Sequence, residues 1–286
     1  MVQAITREQV LSRIDALPAF PKAVQEILET VDDPDSSMSV LSHAIGRDPA
    51  IAGRVLAAAN KAAASSRRSA GVDDIYTATS LVGMQQVRDI AILSSLTDFV
   101  GAINGTMDAA ELWRHSVGVG VCAQEMALCV EADISINQAL IAGLLHDIGQ
   151  FWLLQHDHQA YARAWESAVR SGWDIRRAEQ EAFGVDHAQI GAWLATAWTL
   201  PIDISVAIAG HHSPDEISQT SPLIALLHVA EVVSNALELG GNRMSRVTYL
   251  SPKACRQLGL VWDDSIRPVF GRIEARARHV IALLGS

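Results

Sequence analysis

The chain has 286 residues, 49% of them apolar, which is enough for one large domain or two of ordinary size. Its formal net charge of −10 disfavours general attraction to nucleic acid or anionic membranes, because such binding depends on clustered Lys and Arg. Three cysteines without a CxxC pair suggest neither a disulfide framework nor a thiolate zinc site, and they fit a reducing cytoplasm. Since no window of 18 apolar residues occurs, we predict a cytoplasmic protein without a membrane segment.

Apolar residues recur mostly at three- and four-residue spacing, which predicts an all-α fold. Residues 247–250 are the only strand-like segment. Asp48 and Pro49 suit the N-cap and the first position of a helix. The helices predicted in the first third cover residues 6–15, 22–31, 38–46, 48–64, 75–82 and 84–100, with polar turns at 32–37 and 65–74.

A small, polar, Gly-containing segment at 101–110 is the best candidate for a domain boundary. We predict an N-terminal helical subdomain over 1–105 and a second helical subdomain with C-terminal helices over 106–286, or one compact body in which this segment joins two helices. The helices predicted beyond it cover residues 110–130, 135–155, 158–171, 174–183, 186–197, 201–211 and 221–239, followed by a helical tail over 251–284.

His146 and Asp147 interrupt a nearly apolar helix. A carboxylate there is costly to bury unless a cation or a donor pairs with it. Imidazole nitrogen and carboxylate oxygen together suit Fe, Mn or Zn, whereas Mg and Ca prefer oxygen alone. We therefore predict a pocket for one or two divalent ions, where an activated water would be able to hydrolyse a phosphoester.

Four more histidines lie in the same central region, and their occurrence together with the HD pair indicates one shared site. Each has a structural alternative. His115 would serve as a hydrogen-bonded core residue, and His187 would occupy a first helical turn capped by Asp186. His211 and His212 would place favourable charge at a helix C-terminus.

His228 and Glu231 are three residues apart and share a helix face. Either Glu231 completes a metal shell or the two form a buried hydrogen bond. His156 and His158 lie in a polar stretch typical of a solvated helix end, so we place them outside the site.

With these residues identified, the chain resembles the HDOD (HD-related output domain) family. The resemblance implies an all-helical fold with an N-terminal bundle and an HD-like core, found in bacterial signalling proteins as an output module. The motifs that carry it are LPAFPKAVQEIL at 17–28, DPAIAGRVLAAAN at 48–60, TATSLVGMQQVRDI at 77–90, LWRHS at 112–116, LLHDIGQ at 144–150, DHAQIGAWLATAWTLP at 186–201, AIAGHHSP at 207–214 and LLHVAEVV at 226–233.

Related HD phosphohydrolases and HD-GYP phosphodiesterases hold metal with histidines and acidic residues at matching motif positions. Three departures stand out. Glu231 replaces the usual Asp, Gln150 replaces a Lys that often follows HDIG, and no GYP follows His212. By motif position the metal ligands would be His115, His146, Asp147, His187, His211, His212 and Glu231.

The resemblance and its departures predict a bacterial signal-transduction module that acts by binding protein or ligand, with signalling proteins as partners and a metal-capable pocket. The alternative is a metal-dependent phosphohydrolase acting on a small phosphorylated ligand, with Gln150 and Arg114 as candidate substrate contacts. Direct nucleic-acid binding rests only on Arg67, Arg68 and the Arg-rich C-terminal helix, which suit solvated faces better.

Overall fold

The structure is a computed structural model that describes residues 4–14, 17–30, 41–42, 45–65, 71–103, 107–172, 174–217, 221–240 and 249–284. Within these ranges the regular structure is entirely helical, so the all-α prediction is confirmed. The helices are α1 (Arg7–Leu11), α2 (Lys22–Thr30), α3 (Pro49–Ser65), α4 (Ile75–Val82), α5 (Met84–Ile103), α6 (Met107–Ala127), α7 (Ile136–Leu145), α8 (Ile148–His156), α9 (His158–Ser171), α10 (Ile175–Phe183), α11 (His187–Ala197), α12 (Ile202–Gly210), α13 (Pro222–Ala236), α14 (Pro252–Gln257), a 3-10 turn (Asp264–Ile266) and α15 (Arg267–Leu284).

Short polar side chains begin many of these helices by accepting the first free backbone N–H groups. The predicted Asp48-Pro49 start is confirmed, since Asp48 Oδ1 accepts from the amide of Ala50 at 2.9 Å. Asp186 begins α11 in the same way, accepting from the amide of Gln189 at 2.9 Å. These caps explain why several predicted helix starts lie within a residue or two of the observed ones.

The chain folds as two compact units, one formed by Phe20–Phe99 and the other by the described residues of Met1–Ala19 and Val100–Ser286. In the first unit, buried side chains of α2 and α3 such as Val24 and Val55 form the core. The rings of Phe20 and Phe99 meet edge to face, with centroids 5.6 Å apart. The predicted division into 1–105 and 106–286 stays a prediction.

The larger unit has α6 packed against α7 and α13, and α11 packed against α8 and α12. Close approach at the first contact depends on two glycines, because a Cβ on Gly143 would lie 2.5 Å from the Cα of Gly120. A Cβ on Gly149 would lie 2.0 Å from the carbonyl oxygen of His187, so α8 and α11 also meet backbone to backbone. These contacts draw together the helix ends that carry the HD pair and the neighbouring histidines.

One predicted helix, 135–155, is wrong as a continuous element. The chain forms α7 and α8, with His146 and Asp147 between them. The sequence does not reveal the break, because the apolar residues on both sides continue the same helical periodicity across it. Residues 249–250 of the strand-like segment have no regular structure, and residues 247–248 lie outside the described ranges.

The predicted turn at 32–37, most of the helix at 38–46 and half of the 65–74 loop also fall outside the described ranges, as do Arg67 and Arg68. Among the described helices, none combines the length and the apolar character that a bilayer crossing requires.

Candidate metal centre

The HD pair lies at the junction of two helices. His146 is the C-cap of α7 and Asp147 is the N-cap of α8. The Asp147 side chain makes no capping hydrogen bond, so its carboxylate is available to the surrounding histidines. The positive end of the α8 dipole favours a negative charge at this position.

All seven residues predicted as ligands come together in the larger unit. They form two groups, and within each group one ligand atom from every residue lies within 4.8 Å of those of the others. The first group comprises Asp147, His187, His211 and His212, and the second comprises His115, His146 and Glu231.

Asp147 connects the two groups. Its Oδ1 lies 3.1 Å from His187 Nε2, and its Oδ2 lies 3.3 Å from His146 Nε2 and 3.8 Å from His115 Nε2. Glu231 lies on the other side, with Oε2 3.9 Å from His211 Nε2 and 3.8 Å from His212 Nδ1. The carboxylates therefore face the imidazole nitrogens of both groups.

Backbone carbonyls fix two of the histidine rings. His146 Nδ1 donates to the carbonyl oxygen of Gly143 at 2.8 Å, and His211 Nδ1 donates to that of Ile208 at 2.7 Å. In the neutral ring the other nitrogen, Nε2, is then an acceptor. Both Nε2 atoms are buried without a hydrogen-bond partner. Since His146 Nε2 and Asp147 Oδ2 are both acceptors 3.3 Å apart, a cation between them, either a proton or a metal ion, is needed to make this arrangement favourable.

His187 is held differently, by a carboxylate that sequence reasoning missed. Glu179 Oε2 accepts from the His187 backbone N–H at 2.9 Å and from Nδ1 at 2.7 Å. His187 Nε2 is thereby directed to Asp147 Oδ1 and to His212 Nε2, which lies 2.9 Å away. Both Glu179 and His187 are completely buried.

The charges in this cluster depend on one another. Burial alone would raise the pKa of Asp147, but the neighbouring His146 and His187 hold it well below its usual range. Burial would likewise lower the pKa of His187, yet the carboxylates of Glu179 and Asp147 raise it well above the ordinary value. In the metal-free site a protonated His187 therefore lies between Glu179 and Asp147 and offsets part of their negative charge.

Burial keeps three other histidines of the site neutral, and it moves the titration of Glu231 into the neutral range. Burial lowers the pKa of His115 to about 4 and raises the pKa of Glu231 to about 7. Burial also lowers the pKa of His211 and of His212 well below the ordinary value, and nearby histidines add to the effect. Neutral imidazoles are the form that binds a divalent ion.

A cavity of about 340 Å³ adjoins the cluster, with His212 and Glu231 in its wall. Arg176 also lines it; its guanidinium donates to Asp174 at 3.0 Å and to Ser213 Oγ at 3.0 Å. Sequence reasoning missed Arg176, which nothing in the sequence distinguishes from the neighbouring Arg177. The remaining lining residues include Asp215, Glu216, His228, Asn235 and Tyr249.

Neither Gln150 nor Arg114 is among the described residues that line this cavity. Gln150 is buried and its Oε1 accepts from the Tyr161 hydroxyl at 2.6 Å. Arg114 is exposed on α6. A substrate role for either residue stays a prediction.

His228 acts as a support for the site. Its Nδ1 donates to the carbonyl oxygen of His211 at 2.8 Å, and its Nε2 accepts from the backbone N–H of Ser251 at 3.1 Å. It therefore anchors the segment that carries His211 and His212. His156 lies apart, stacked on Trp152 with ring centroids 4.6 Å apart and 2.6 Å from Arg13 Nη1 through its Nδ1.

Comparison with known proteins gives this arrangement a family context. The model of the HDOD domain matches residues 17–214, more than half of the chain. The chain belongs to the HDOD domain family. As an HDOD protein it is 26% identical, over 234 residues, to an uncharacterized protein of Treponema pallidum (strain Nichols). That match covers 80% of this chain but 44% of the relative, so the chain spans less than half the length of the curated relative it matches.

Two solved structures are similar to this HDOD protein. One, from Shewanella amazonensis SB2B, is named as a candidate phosphohydrolase; it is 26% identical, covers 96% of each chain and has a TM-score of 0.66. The other, from Marinobacter aquaeolei VT8, is named as a candidate signal transduction protein; it is 21% identical and has a TM-score of 0.75. This second match covers 100% of the HDOD chain and 62% of the other, and it shows likeness of fold.

Proposed function

We propose that this chain is a signalling module of the HDOD type whose cluster of seven residues holds one or two divalent metal ions. The carrying observation is the pair of buried acceptors, His146 Nε2 and His211 Nε2, that lack hydrogen-bond partners. Buried polar atoms without partners are rare and costly. An ion in the first ligand group would satisfy His211 Nε2, and an ion in the second would satisfy His146 Nε2.

The donor set supports an ion from the borderline class. Five imidazoles and two carboxylates offer nitrogen and oxygen together, which suits Fe, Mn or Zn. His146 and His211 already have the tautomer that leaves Nε2 free to coordinate, since each donates its Nδ1–H to a carbonyl oxygen.

The signalling role and its protein partners are supported by the family and by the name of the Marinobacter aquaeolei VT8 structure. A regulatory role also agrees with the position of Gln150. Where related phosphohydrolases often have a Lys, this side chain is buried against Tyr161.

Metal content tests the site directly. Protein purified without a chelator or a histidine tag is expected to carry one or two equivalents of Fe, Mn or Zn, measured by plasma emission spectroscopy. Asp147→Ala is expected to lose them, because Asp147 faces both ligand groups. His279→Ala, at an exposed position on α15, is the matched control and should retain them. Metal-free wild-type protein that also takes up no added metal would refute the site.

A second candidate function, hydrolysis of a small phosphoester, is favoured by the cavity beside the cluster. When bound, a divalent ion supplies Lewis acidity toward a phosphate oxygen and toward water. Arg176, half-buried in the cavity wall, is placed to contact an anionic group. The name of the Shewanella amazonensis SB2B structure agrees with this function.

Hydrolysis is tested with p-nitrophenyl phosphate, its bis ester and cyclic dinucleotides in the metal-loaded protein. Turnover lost in His146→Ala and weakened in Arg176→Gln would support it. Arg177→Gln is the control, since Arg177 is exposed on the same helix. Turnover that persists unchanged in His146→Ala would trace to a contaminant.

A further inference from the structure

Glu179 lies beside the ligand cluster without belonging to either ligand group. It is fully buried on α10, and both hydrogen bonds to its Oε2 come from His187. A buried carboxylate is costly unless close partners compensate for its lost hydration. Here the compensation comes from one residue, and that residue is a candidate metal ligand.

The hydrogen bond from Nδ1 determines how the imidazole can act. Because Oε2 also accepts the backbone N–H of His187, it serves as an acceptor, and Nδ1 must carry the proton. Nε2 is then the nitrogen that faces Asp147 Oδ1 and His212 Nε2, 3.1 and 2.9 Å away. In the metal-free site it carries the second proton of the ring, and a bound ion would take the place of that proton. The backbone bond fixes the same residue at the first position of α11, so the ring has little freedom to turn away.

The other anchored rings of the cluster differ in one respect. His146 and His211 donate Nδ1–H to neutral backbone carbonyls, whereas His187 donates to a carboxylate. A carboxylate acceptor increases the electron density of the ring and makes Nε2 a stronger metal donor. Among the rings with a described Nδ1 anchor, His187 therefore has the most basic coordinating nitrogen.

We propose that Glu179 is a positioning residue that fixes the orientation and donor strength of His187 toward a bound divalent ion. This inference rests on the proposed metal site. Loss of such a carboxylate partner typically weakens metal affinity 10- to 100-fold. A purely structural ion pair would change stability and leave metal affinity unchanged.

The test compares Zn²⁺ affinity, by chelator competition, and the visible spectrum of Co²⁺-loaded protein in wild type, Glu179→Gln and Glu181→Gln. Gln keeps the size and one acceptor oxygen of Glu179 but removes its charge. We expect Zn²⁺ affinity to fall about 10- to 100-fold and the Co²⁺ absorption bands to shift in Glu179→Gln. Glu181→Gln, on the exposed face of the same helix, should match wild type.

Wild-type protein that binds no Zn²⁺ would overturn both the metal site and this role of Glu179. Wild-type binding with unchanged affinity and spectrum in Glu179→Gln would overturn the role of Glu179 alone. If Glu179→Gln does not fold, imidazole ¹⁵N NMR of Zn²⁺-loaded wild type decides instead. His187 is expected to be protonated at Nδ1 and coordinated through Nε2, and the opposite tautomer would contradict the inference.

Discussion

At the scale of single residues, the sequence predicts which residues form the site better than it predicts the hydrogen-bond partners that hold them in place. His146 and Asp147 stand out because polar side chains interrupt an apolar helix. Their hydrogen-bond anchors do not stand out, since the carbonyls of Gly143 and Ile208 belong to backbone that any residue provides. The seven predicted residues are brought together, while their action as metal ligands stays a proposal.

The sequence contains a pattern from which the role of Glu179 as a buried partner could have been predicted. It lies next to Ala178 and four residues before Phe183, both of which are buried on α10. A carboxylate on the apolar face of a helix requires a partner, and His187 follows eight residues later. Gln150 had no such signal, because its contact with Tyr161 depends on how α8 packs against α9.

Tyr161→Phe tests whether Gln150 is structural. The substitution removes the hydroxyl that donates to Gln150 Oε1 and leaves a buried acceptor unpaired. We expect the free energy of unfolding in urea to fall by about 1–3 kcal/mol, with metal content unchanged. Tyr76→Phe, at an exposed position, is the control and should change stability little. Loss of metal in Tyr161→Phe would instead connect Gln150 to the site.

At the scale of helices, the sequence predicts starts better than breaks. Asp48 and Asp186 indicate the starts of their helices in the sequence, because a side-chain cap is a local interaction. The break at His146-Asp147 depends on tertiary packing. There α8 must turn so that Gly149 meets the His187 carbonyl oxygen, and no local pattern contains that contact.

Gly149→Ala is therefore expected to be severe. Its Cβ would lie 2.0 Å from a backbone carbonyl oxygen that cannot rotate away. We expect a loss of about 3 kcal/mol in the free energy of unfolding, near the upper end for overpacked sites. Metal uptake should fall as well, because His187 is displaced with its backbone. Chemical unfolding and Zn²⁺ titration measure the two effects.

Gly271→Ala provides the comparison on α15. A Cβ there would have no described heavy atom within 4 Å. Alanine should stabilise this helix by about 0.5–1 kcal/mol and leave Zn²⁺ uptake unchanged. Equal losses in both variants would show that the backbone contact of Gly149 has no special role.

At the scale of the whole molecule, the helical class follows from residue periodicity, whereas the division into units does not. The group formed by Met1–Ala19 and Val100–Ser286 joins segments far apart in the chain. Composition along a sequence cannot reveal such a grouping, since it reports only local changes. One contact between these two segments lies near the site, where α1 packs against α11.

Metal should stabilise the helices that carry the candidate ligands. A free metal-ion concentration of 100 times the Kd adds about 2.7 kcal/mol to the free energy of unfolding. We expect a chelator to lower the melting temperature and to reduce amide-exchange protection mainly in α6, α7, α11, α12 and α13. The helices of the Phe20–Phe99 unit carry none of the seven residues and provide an internal reference.

Asp147→Ala should show no response to the chelator. A chelator effect of the same size in this variant would mean that the stabilising ion binds elsewhere on the chain.

Helix α10 carries Arg176 in the cavity wall and Glu179 against His187, about one turn apart. An anion would therefore contact this short helix through Arg176, and a metal ion bound by His187 would affect the same helix through Glu179. By linkage, whatever factor the metal contributes to anion affinity, the anion must contribute to metal affinity. We expect phosphate and Zn²⁺ titrations, each repeated with the other present, to give one common factor greater than one. Such a module would act as a coincidence detector that responds most strongly when both small ions are present. A factor of one would show that α10 does not couple anion binding to metal binding.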